Sequence, residues 1–175
     1  MVVFYCLLMV NMIYCVGCCC FMSSTGYLEM HIEKVLGFED QFGLRFCDKG
    51  LLLAALDHSG FGSERKKCLA LAGDALLDFI LFNFLLDRGG YSKGMMDGVR
   101  GRLNTDDSLA VIGVEMGLGE FIVFPNSATM VEKESGKSYY NDALEALVYV
   151  VMKDMGLEAA TRFVVEHIIS RLVKE

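Results

Sequence analysis

One proline and no tryptophan occur in 175 residues. The near-absence of proline excludes a polyproline, collagenous or linker-dominated chain. Positive charge is in the minority: 16 Lys and Arg stand against 23 Asp and Glu, a net charge of −7. That balance excludes a protein that grips nucleic acid through bulk positive charge, because such binding works by displacing counterions with Lys and Arg. With 54% apolar and 22% charged residues, the chain can bury a core and is no disordered segment. Its length accommodates one ordinary domain and leaves no room for a second large one.

The stretch from Met1 to Leu28 lacks charge altogether. Residues 1–26 form an apolar, Cys-rich segment, with five of the seven cysteines at Cys6, Cys15, Cys18, Cys19 and Cys20. The spacing suits neither a tetrahedral metal site nor a disulfide framework. No Lys or Arg precedes Lys34, so the basic start of a secretory signal is missing. Three readings remain open. Translation starts at Met22; or the segment is a membrane anchor or targeting sequence, long enough to cross a bilayer; or it is a buried helix of the domain. Under the first reading only Cys47 and Cys68 remain, as suits a reducing compartment. The expected location is then intracellular, cytoplasm or organelle, with membrane association only if residues 1–26 are translated and inserted.

Residues 27–175 are expected to form one all-α domain. Apolar residues recur at helical spacing almost throughout, and strand-like alternation is scarce. Helices are predicted at Leu28–Leu36, Asp48–Asp57, Glu64–Leu86, Ser92–Asn104, Asp107–Met116, Tyr139–Met155 and Leu157–Val173. Asp48 and Ser92 are N-cap candidates, while Gly89-Gly90, Gly117 and Gly156 are stops. Gly119–Ser138, with Pro125 and the run Glu132-Lys133-Glu134, reads as a surface loop.

Two acidic positions interrupt apolar helices, where an unpaired carboxylate is costly. Asp74 lies among small residues in LALAGDALLDFIL, and Asp142 and Glu145 lie in NDALEALVYVVM. The spacing of three puts the latter two carboxylates on one helix face. Three carboxylates from two helices can bind a hard divalent cation such as Mg²⁺, or Mn²⁺, whose remaining ligands are water. A cation of this kind activates water and neutralises charge on a phosphate. On spacing alone the ordinary alternative is a solvated acidic face.

Four collinear motifs resemble the catalytic domain of the ribonuclease III family. LALAGDALLDFIL resembles the signature helix ERLEFLGDAVLE, and NDALEALVYVVM resembles DAFEALIGAIYLD. FGLRFCDKGLLLAALDHSG is similar to LGYRFKDKSLLLEALTHSS, and VRGRLNTDDSLAVIGVEMGLGEFIVF to MRASLVNNETLAEIARELGLGEYLLL. GLEAATRFVVEHI is similar to the family's closing helix. The resemblance, from Ile32 to Leu172, implies the all-α ribonuclease III fold and a symmetric homodimer, for which Leu69, Leu71, Ala72 and Leu76 offer a candidate face. It also implies a metal-dependent endoribonuclease that cuts double-stranded RNA to 5′-phosphate and 3′-hydroxyl ends. Asp74 and Glu145 match catalytic positions, and Asp74, Asp142 and Glu145 match metal ligands.

The chain departs from the family at Ala70, where most members carry a metal-binding glutamate, and at Lys67, which replaces the signature's first glutamate. Short Mini-III members also carry alanine at the first of these and are nucleases. The alternative implied by the departures is an inactive, RNA-binding or scaffold protein with the same fold. No double-stranded-RNA-binding domain is expected beyond the last helix, so grip on the substrate is expected from the catalytic domain alone, from a dimer or from a helper RNA-binding protein. Arg65, Lys66, Lys67, Arg100 and Arg102 are candidate phosphate contacts. Asp78, His31, His58, His167 and Cys68 read as structural, with Cys68 packed in the core.

Overall fold

The computed structural model describes residues 24–60, 63–103 and 106–172. Residues 1–23, with the five clustered cysteines, lie outside them. The order is α1 (Ser24–Met30), α2 (Ile32–Phe42), α3 (Lys49–Leu56), α4 (Ser63–Arg88), α5 (Lys93–Leu103), α6 (Asp106–Glu115), a 3₁₀ turn Leu118–Glu120, α7 (Met130–Ser135), α8 (Lys137–Met155), α9 (Leu157–Val164), a π-helical turn Val165–Ile169 and α10 (Ser170–Leu172). Among the described residues there is no strand; Asp57 and Val123 form an isolated parallel bridge. The all-α expectation is met.

The centre of the fold is α8. Ala143, Leu144, Ala146, Leu147, Val148, Val150 and Val151 are fully buried, so the helix is covered on nearly every side. Helices α3, α4, α6 and α9 pack around it. Phe38, Phe42 and Phe46 extend the core toward Phe121 and Phe163 through edge-on and tilted ring contacts. The start of α3 is fixed twice. Asp48 accepts from the Leu51 amide, and the Asp154 carboxylate of α8 accepts from the amides of Cys47 and Asp48.

Two expectations are corrected. The predicted helix Leu28–Leu36 spans a break, because α1 ends at Met30 and α2 begins at Ile32. The His31 amide reaches Leu28 at 3.1 Å, a three-residue bond that tightens the chain there. The predicted loop Gly119–Ser138 is structured at both ends. Phe121, Ile122 and Val123 are buried, and α7 contains the charged run. Thr129 accepts from the Glu132 amide while the Glu132 carboxylate accepts from Thr129, a reciprocal cap that starts this short helix.

Candidate active site at the crossing of two helices

Helices α4 and α8 touch at Gly73. A Cβ there would lie 1.8 Å from the Glu145 carbonyl oxygen and 2.5 Å from its carbon. Only glycine allows the two backbones to approach so closely. The contact sets the residue after it, Asp74, beside the turn that carries Asp142 and Glu145. The crossing therefore brings together the two acidic stretches that lie far apart in sequence.

The carboxylates have different surroundings. Asp74 is half-buried, and its carboxyl is pushed above the ordinary aspartate range by burial and by Asp78, with Arg100 opposing the shift. Asp78 is paired with Arg100 at 2.6 Å. Asp142 is paired with Lys66 at 3.3 Å, and Glu145 accepts from the Asn141 side-chain amide at 3.0 Å. Ala70 is 5% exposed and offers a methyl where a further donor would stand. Among the described residues, no three His, Cys, Asp or Glu side chains are gathered closely enough to hold a metal ion. As oxygen donors, Asp74, Asp142 and Glu145 have the chemistry that a hard divalent cation takes, and a cation would oppose the burial and the Asp78 charge that raise the Asp74 carboxyl.

His58 adjoins the site. Its Nδ1 lies 2.8 Å from Lys66 Nζ, and its ring packs edge-on against Tyr139. Burial, reinforced by Lys66, lowers its pKa to about 3, so the imidazole is neutral and accepts at Nδ1. Its turn is secured by the bonds His58 N to Val123 O and Val123 N to Leu56 O, and by the Ser59 amide donating to Asp57. The expected loop-holding role fits this placement.

The basic residues divide. Lys66 is buried at 8% exposure and held by His58 and Asp142, which corrects its expected role as a phosphate contact. Lys66, Ala70 and Asp74 are each one turn apart on α4, so Lys66 faces the acids whereas its neighbours do not. Arg65 and Lys67 are exposed, with Lys67 paired to Glu64. Arg100 and Arg102 are exposed at the end of α5. Cys68 is exposed, a correction to its expected core position. His31 stands at the N-cap position of α2 without a side-chain capping bond, and His167 packs on Phe42 and Phe163. Leu69 is buried in the core and so cannot serve the expected partner face, whereas Leu71 on that face is 74% exposed.

Comparison with known proteins places the chain by family and fold. A family model described as ribonuclease-III-like matches residues 48–172. Ribonuclease 3 of Pseudomonas fluorescens (strain SBW25) is 33% identical over 123 residues, 70% of this chain and 54% of that protein. Ribonuclease 3 of Mycoplasma genitalium is 34% identical over 114 residues, 65% of this chain and 42% of that protein. The chain thus spans about half the length of these relatives. The nuclease domain of ribonuclease III from Campylobacter jejuni is 30% identical, with a TM-score of 0.67 over 81% of this chain and 98% of that domain. In that domain a region involved in dimer formation is structurally flexible.

Proposed function

The chain belongs to the ribonuclease-III-like family, and on that premise we propose that it is a divalent-metal-dependent endoribonuclease that hydrolyses double-stranded RNA. The observation that carries this reading is the Gly73–Glu145 contact, because it sets the turn of α4 that bears Asp74 against the turn of α8 that bears Asp142 and Glu145. By this reading these three carboxylates hold Mg²⁺ or Mn²⁺. When bound, such an ion lowers the pKa of water and neutralises charge on the scissile phosphate. Asp74, Asp142 and Glu145 would orient the ion and, through it, the attacking water. Asn141 orients Glu145 through its amide. Water adds across the P–O3′ bond, its oxygen joining phosphorus and a proton going to the departing 3′ oxygen, which gives 5′-phosphate and 3′-hydroxyl ends.

Duplex binding falls to Arg65, Lys67, Arg100 and Arg102 on the exposed rim, with a helper RNA-binding protein as a further source of affinity. Leu71, Phe79 and Leu86 are 74%, 52% and 64% exposed along α4, and a second copy of the chain would cover this apolar stripe. Localisation is proposed to be intracellular, cytoplasm or organelle.

The test is a labelled RNA duplex incubated with the chain in Mg²⁺, with Ca²⁺ as control and Asp74→Asn and Glu145→Gln alongside. Mg²⁺-dependent cuts lost in both variants are expected. Unchanged cleavage by Glu145→Gln would overturn the site. One observation favours a second reading, a non-catalytic RNA-binding scaffold: Ala70 supplies no donor and Lys66 already holds Asp142. Duplex binding without cuts in both Mg²⁺ and Mn²⁺ would select it.

A further inference from the structure

We propose that Lys66 is a resident cation of the acidic site: by holding Asp142 it keeps the carboxylates folded together without metal and sets the site's divalent-cation affinity low. The inference rests on the reading of Asp74, Asp142 and Glu145 as the cation site. A lysine is almost never buried unless its charge is answered, and Lys66 is 8% exposed. Its ammonium has two partners of opposite kind. Asp142 Oδ2 at 3.3 Å supplies the counter-charge, and the neutral His58 ring supplies an acceptor at 2.8 Å.

The placement is specific to one face. Lys66, Ala70, Asp74 and Asp78 follow one another at single turns along α4, so the face reads ammonium, methyl, carboxylate, carboxylate. Arg100 answers Asp78 from the exposed rim, and Lys66 answers Asp142 from the buried side. A divalent cation bound to Asp142 would share that carboxylate with the ammonium already 3.3 Å from it. Like charges on one carboxylate repel strongly in a partly buried site, and the methyl of Ala70 offers no compensating anion. Lys66 therefore acts through Asp142, as a positioning residue.

The test uses the whole chain and measures Mn²⁺ binding by electron paramagnetic resonance of the free ion, together with thermal unfolding in EDTA and in Mn²⁺. Lys66→Met is expected to bind Mn²⁺ at least about tenfold more tightly than the natural chain. It should also melt lower in EDTA and gain more from added Mn²⁺. Lys66→Arg, which keeps the charge, should behave like the natural chain. If Lys66→Met loses its helical circular dichroism, Lys66→Gln carries the same comparison. Equal or weaker binding after loss of the charge overturns the inference, and Mg²⁺-dependent cleavage by the natural chain then leaves the nuclease reading standing. An identical gain in an Asp142→Asn background overturns it as well, since Lys66 would then not act through Asp142. Absence of Mn²⁺ binding in every form overturns both this inference and the metal reading.

Discussion

Replacing Gly73 with alanine is the most direct perturbation of the helix crossing. The new Cβ would stand 1.8 Å from the Glu145 carbonyl oxygen, whereas ordinary carbon–oxygen contacts begin at about 3.3 Å. The helices must separate by about 1.5 Å, and the obstructing atoms are backbone, which cannot rotate aside. Overpacking a core typically costs about 1–3 kcal/mol, and a clash with backbone in the central helix belongs at or above the top of that range. For a domain of this size, about 3 kcal/mol corresponds to a fall in Tm of about 6–12 °C.

The assay is urea unfolding followed by circular dichroism, where the midpoint falls at an unchanged slope. Gly98→Ala is the control. Nothing lies within 4 Å of a Cβ at that position in α5, so alanine should stabilise the helix by about 0.5–1 kcal/mol. The functional consequence is separate from stability. Asp74 and Glu145 flank the contact, and a displacement near 1 Å in a catalytic constellation costs about 10²-fold in rate. Gly73→Ala should therefore lose about that much cleavage at temperatures where it remains folded. Stability within about 0.5 kcal/mol of the natural chain, the ordinary range for an innocuous surface change, would refute the crossing geometry.

His58 gives a pH dependence with a definite sign. Its folded pKa of about 3 lies below the ordinary 6.5, so the unfolded chain binds the extra proton and stability falls as pH drops from 6.5 toward 3. The loss should reach about 2 kcal/mol by pH 5; urea midpoints between pH 7 and 5 test this, and His58→Gln should flatten the slope. Glu39, 2% exposed, accepts at 2.6 Å from Lys49, whose side chain is 31% exposed. Removing a partner from a fully buried pair costs about 3–5 kcal/mol, and solvent around Lys49 reduces the expected loss for Lys49→Met to about 2–3 kcal/mol. Restoration of much of that loss in Glu39→Gln/Lys49→Met would locate the cost in the uncompensated carboxylate, and its absence would place it elsewhere.

The long helices were legible because their signals are local and repeated. Asp48 caps α3 at its predicted place, and α4 and α8 differ from their predicted bounds by at most two residues. The two acidic stretches were legible as well, since a carboxylate in an apolar helix needs a reason. What could not be read was the partner of each acid. Nothing in NDALEAL says that Asp142 meets Lys66, because the pairing depends on where α8 crosses α4. The missed helix α7 did carry a usable signal: Thr129 and Glu132 have the spacing of a reciprocal cap, masked by the polar composition around them.

Lys66 shows why a charge run cannot be read as a unit. Arg65, Lys66 and Lys67 look alike in sequence, yet consecutive helical residues are rotated by about 100° from one another. In a three-residue run at the edge of a core helix, one residue can thus face inward while its neighbours face solvent. The phase was already available, since Asp74 lies eight residues beyond Lys66, close to two turns plus a small remainder. Counting back from the acid by turns, through Ala70 to Lys66, identifies the lysine that shares its face. The run's exposed members suit phosphate contact, and its middle member belongs to the acids. The missing glutamate at position 70 and the lysine one turn before it change the charge of one face in the same direction, so their consequence for cation affinity must be assessed together.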